Sequence, residues 1–138
     1  MLTLFSGKHC LIRKPAKSGS LFYNYKGTCS TVLLAVCDAK YRFIYAQTGS
    51  YGHNNDAGIF EKSKHHKGLE NGSFQLPQPS KLPGTQTESP YVIVGDGAFP
   101  LKMYMMKPFA GRDLEQEQEI FNYRLSRARR VSIFALNQ

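Results

Sequence analysis

Residues 28–38 restrict the fold more than any other part of this chain. Val32, Leu33, Leu34, Ala35 and Val36 follow one another without a polar break. A strand with no alternation is covered on both faces, which places it inside a sheet and calls for helices to pack on it. Asp38, Ala39 and Lys40 then make a tight reversal, and residues 41–48 alternate, with Tyr41, Phe43 and Tyr45 on one side. That pattern predicts the partner strand of a hairpin. Residues 9–14 read as an earlier short strand ended by Pro15, and residues 17–26 as a turn.

Further along, residues 49–55 read as a loop. Asn55 or Asp56 is placed to cap a helix through Ile59 and Phe60. Residues 62–67 are basic and polar and put His65 and His66 in a polar loop. Pro77, Pro79, Pro83 and Pro90 predict an extended surface loop over 72–90. Residues 91–94 read as a short buried strand, followed by a connection rich in Met and Pro. Residues 114–131 predict a helix with Glu117, Phe121, Leu125 and Ala128 on one stripe. Its acids come first and its arginines last, as the helix dipole favours. Three strands, a helix, a strand and a helix make a mixed α/β pattern.

The 138 residues suit one domain. The net charge of +8 favours polyanionic partners, because phosphates release counterions when Lys and Arg replace them. Cys10, Cys29 and Cys37 are odd in number and lack CxxC spacing, which argues against a disulfide framework or a zinc ribbon. A reducing compartment, nucleus or cytoplasm, is the expected home. Residues 1–10 are too brief for a signal peptide, and the apolar run at 32–37 is far short of a membrane span.

Two features point to chemistry. Asp96 follows a buried strand and lies between Gly95 and Gly97, so its carboxylate is expected at the C-terminal edge of the sheet, where ligands and metals collect. The competing reading is a plain turn, since Asp-Gly is a strong turn dipeptide. Arg124, Arg127 and Arg130 recur every three residues and would lie near one helical face, a ridge able to grip phosphates. The competing reading is a solvated helix end. Tyr23, Tyr25 and Tyr45 are read as strand-packing aromatics, with base stacking as the alternative.

The order of motifs resembles the Harbinger-type, transposase-derived DDE endonuclease domain. Gly7-Lys8-His9-Cys10, Phe22-Tyr23-Asn24-Tyr25-Lys26-Gly27 and Leu34-Ala35-Val36-Cys37-Asp38 carry the front half. Gly52 to Phe60, with Asp56, is similar to the family's Gly-x-x-x-Asp segment. Val94-Gly95-Asp96-Gly97-Ala98-Phe99-Pro100-Leu101 and the arginine block up to Val131 complete it. The resemblance covers residues 7–131, leaving 132–138 as a divergent tail. It implies a ribonuclease-H-like mixed sheet flanked by helices, incomplete at the C-terminus. It also implies three acids holding Mg2+ or Mn2+ for cutting DNA, and a separate partner protein supplying further DNA binding.

Asp96 matches the second acid of that trio. Ser6 stands in the place of the first and Ile133 in the place of the third. With those two carboxylates missing, the expectation is a nuclease by ancestry with impaired catalysis, Asp56 and Asp96 offering weak metal binding. The alternative is a non-catalytic remnant that binds DNA or protein.

Overall fold

The computed structural model describes residues 3–136, with side chains from Gly7 to Arg130. Strand β2 (Ser30–Cys37) lies inside the sheet and is almost wholly buried, as its apolar run requires. It pairs antiparallel with β1 (Thr3–Leu11) on one side and with β3 (Phe43–Tyr51) on the other. Between β2 and β3, Asp38 holds the reversal: its carboxylate accepts from the backbone N–H groups of Lys40 and Arg42 and pairs with the Arg42 guanidinium at 2.6 Å. Helices α1 (Asp56–Lys62) and α2 (Lys64–Glu70) follow. A small antiparallel ladder, β4 (Ser80–Lys81) with β5 (Glu88–Ser89), precedes β6 (Ile93–Val94) and β7 (Met105–Met106). Helix α3 (Gln116–Leu136) ends the described chain.

The main sheet has the order β3-β2-β1-β6-β7, with β6 parallel to both β1 and β7. Its two faces are covered by different helices. Val32, Leu34, Val36 and Ile93 pack with Ile59 and Phe60 of α1, and with Phe99 and Met105. Val94, next to Ile93 and therefore on the opposite face, packs with Leu125 and Phe121 of α3. The fold is a mixed α/β sheet carrying helices on both sides.

Several elements differ from the sequence reading. β1 starts earlier and ends before Arg13, because eight residues of cross-strand pairing with β2 carry it through the polar Ser6-Gly7 step. β3 runs on to Tyr51, with irregular register near Val32. His65 and His66 belong to α2, capped by the buried Ser63 hydroxyl, which accepts from the His66 N–H at 3.0 Å. His65 packs between Tyr45 and Phe74. The span 72–90 contains the β4–β5 ladder, turning through Gly84. The Met-rich connection supplies β7. α3 starts two residues late and extends beyond Val131, and Glu117 is exposed rather than part of the buried stripe.

Candidate functional site at the β6 edge

Asp96 does make a turn: its Oδ1 accepts from the Ala98 N–H at 2.9 Å, and its carbonyl accepts from the Phe99 N–H. The turn nevertheless sits where the sequence placed it, directly after β6 at the end of two parallel strands. Phe99 anchors it. The ring is fully buried, meets Phe60 edge-on at a centroid distance of 5.7 Å, and lies so close under Gly95 that a β-carbon there would collide with it. Glycine at 95 is thus a packing requirement.

Asp96 faces α3. Its Oδ2 is 3.7 Å from Arg129 Nη2, in a partly buried ion pair. Arg129 was not among the arginines singled out from sequence. The signal was present, since Arg129 falls four residues after the buried Leu125 and therefore on the sheet-facing side of the helix. Arg124, Arg127 and Arg130 are all exposed. Arg127 lies over the Tyr123 ring, while Arg124 lines an apolar groove with Lys81, Pro83, Met106 and Phe121.

Asp56 arrives from the other face. Asn55 caps α1 by accepting from the Gly58 N–H at 2.7 Å, which sets Asp56 in the first helical turn over β1. Its carboxylate occupies the space that a side chain at Gly7 would need. With Gly7, His9, Tyr25, Gly52 and His53 it lines a cleft of about 360 Å³. His9 is oriented by Ser30, whose Oγ lies 2.8 Å from His9 Nδ1. Burial pushes the Asp56 carboxyl above the usual aspartate range, the Asp96 charge adds to the rise, and His9 opposes it.

That shift has a stability consequence. A carboxyl whose pKa is higher folded than unfolded costs nothing when protonated in both states, and destabilises the fold as pH rises through its folded value. Asp56→Asn is therefore expected to raise the melting temperature at neutral pH. The gain should vanish as pH falls below the ordinary aspartate value of 3.8. Melting curves followed by circular dichroism across that range check it; an equal gain at every pH would contradict the cause given.

A two-metal phosphodiester centre needs several oxygen ligands. Among the described residues, no three His, Cys, Asp or Glu side chains come together to hold an ion. Asp96 already faces a guanidinium, and Asp56 is partly desolvated. The described donors do not fit such a centre. Among the described residues no helix is long and apolar enough to cross a membrane.

A family model described as DDE superfamily endonuclease matches residues 5–133. Protein ALP1-like of Arabidopsis thaliana is 31% identical over 133 residues, covering 94% of this chain and 32% of that protein. The chain thus spans about a third of that relative's length. No solved structure matches. The family match and the ordered motifs agree, and the chain belongs to the DDE superfamily endonucleases, in their Harbinger-type, transposase-derived branch.

Proposed function

We propose that this is a transposase-derived, endonuclease-like domain that holds DNA at the Asp96 edge of its sheet and cuts it poorly. The observation that carries the reading is the Asp96–Arg129 pair: the acid that matches the family motif stands beside the arginine-rich helix, balanced by a side chain. The ribonuclease-H-like form of the fold is supported by the strand order β3-β2-β1-β6-β7, antiparallel in its first three strands and parallel in the last two steps.

Register supports the ancestral site. Leu4 pairs with Val94 in parallel, and positions 6 and 96 each follow that pair by two residues, which favours their proximity. Position 133 lies one helical turn beyond Arg129 in α3. Three acids at 6, 96 and 133 would gather at one edge; serine and isoleucine leave one. Asp96, with Asp56 approaching from the opposite face, is what remains of the acidic cluster.

A non-catalytic DNA-binding role is the second reading, favoured by the exposure of Arg124, Arg127 and Arg130. It is tested by duplex binding across a salt series in the presence of a chelator. Wild type is expected to bind at low salt. Changing the three arginines to alanine should flatten the log–log salt slope by about 2 to 3, since each phosphate contact contributes roughly 0.9. An unchanged slope would remove the arginine ridge from the account, and absence of binding at low salt would remove DNA altogether.

A further inference from the structure

Tyr23 and Tyr25 are not the strand-packing aromatics their sequence context suggested. Tyr25 is 83% exposed and Tyr23 46% exposed. An exposed ring on a mobile loop would carry little meaning, but this turn is built from the inside. Asn24 is buried beneath it. Its Oδ1 accepts from the backbone N–H groups of Lys26 and Thr28, and its Nδ2 donates to the Thr28 and Ser30 hydroxyls at 3.0 and 2.9 Å. The backbone closes with Asn24 donating to the Thr28 carbonyl, and Gly27 takes the left-handed conformation, φ 76°, that the reversal needs.

The same buried Ser30 hydroxyl that receives Asn24 also fixes His9, and the His9 ring meets Tyr25 edge-to-face at 5.8 Å. The exposed ring is therefore tied, through one polar network, to the cleft that contains Asp56.

Its surroundings are cationic. Lys26 Nζ lies over the Tyr25 ring at 5.6 Å from its centroid, and Lys14 Nζ over the Tyr23 ring at 5.7 Å. Lys8, Arg13, Lys14, Lys17 and Lys26 all precede Asp38, which is the first carboxylate in the chain. A rigid, outward-facing aromatic ring among lysines, at the lip of an acid cleft, is the equipment that proteins use for unpaired nucleotides: the ring stacks on a base and the cations meet its phosphates. Inside a duplex every base is stacked on both faces, so only the terminal pairs offer a free face to such a ring.

We propose that Tyr25 is a stacking platform for an unpaired DNA base, so that the domain engages single-stranded or frayed ends in preference to closed duplex. The proposal rests on the DNA reading above and adds the form of the substrate. The chain has no tryptophan, so Tyr25→Trp supplies a single reporter at the platform.

Binding is measured by fluorescence anisotropy of labelled single-stranded and blunt duplex oligonucleotides, with a chelator present so that no cutting intervenes. Tyr25→Ala is expected to weaken single-strand binding by about 5- to 150-fold, the effect of losing one stacked base, and duplex binding by no more than about twofold. Tyr25→Phe should bind as wild type does, and the Tyr25→Trp emission should be quenched by the single strand alone. Equal loss on both DNAs, no loss on either, or an unquenched Trp at saturation would overturn the platform and leave the DNA reading standing. Failure of wild type to bind either DNA at low salt would overturn both. Because the ring is exposed, the three variants should melt with wild type.

Discussion

A chain carrying both Ser6→Asp and Ile133→Glu is expected to nick supercoiled DNA in Mn2+ at least about 100-fold faster than wild type, a gain worth about 2.7 kcal/mol in the barrier. The gain is electrostatic in origin. A carboxylate a few ångströms from a dication is attracted by several kcal/mol even at a high effective dielectric, roughly 20. The two substitutions restore acids at the proposed ancestral positions, two residues past the Leu4–Val94 pair and one helical turn past Arg129. Gel assays of plasmid nicking with and without chelator measure the gain. Adding Asp96→Asn to the double variant should abolish it. A folded double variant no faster than wild type, or one indifferent to Asp96→Asn, would refute the assignment of positions 6 and 133.

Phe99→Ala is expected to be the most damaging single truncation near the site, costing about 3 to 5 kcal/mol. The ring is fully buried among Val32, Leu34, Val36, Ile93 and Met105, against Phe60. It also fills the space under Gly95, so its loss removes both core volume and the support of the Asp96 turn. For a chain of this size the melting midpoint should fall by roughly 10 to 20 °C, as calorimetry would read. Phe99→Leu, which keeps much of the volume, should lose far less. A shift of a degree or two for the alanine variant would mean that the turn is held by something other than this ring.

How much of this was legible follows from how local each signal is. β2 and its hairpin with β3 were readable because an unbroken apolar run and an alternating one have few other uses. α3 was readable from its stripe, and Gly95-Asp96-Gly97 from its position after a buried strand. α2 was missed because Lys64, His65, His66 and Lys67 look solvated, although the cap at Ser63 was there to be seen. β7 has two residues and no period to detect; it exists because β6 offers it a parallel partner. Spacing from Leu125 puts Arg129 on the sheet-facing side of its helix, but its partner Asp96, like the meeting of Asp56 with Gly7, depends on chain crossings that no spacing encodes. The exposure of Tyr25 is hidden in the sequence for a related reason. Whether an aromatic residue packs inward or stands on a turn was decided by the buried Asn24 beside it.

The guanidinium opposite Asp96 has one more consequence. As a side chain, the Arg129 guanidinium cannot diffuse away and cannot be stripped by a chelator. Where the family motif places an acid, this molecule carries the counterion as part of its own chain. The shape of that corner thereby rests on a charge the fold itself supplies and not on the capture of a free dication.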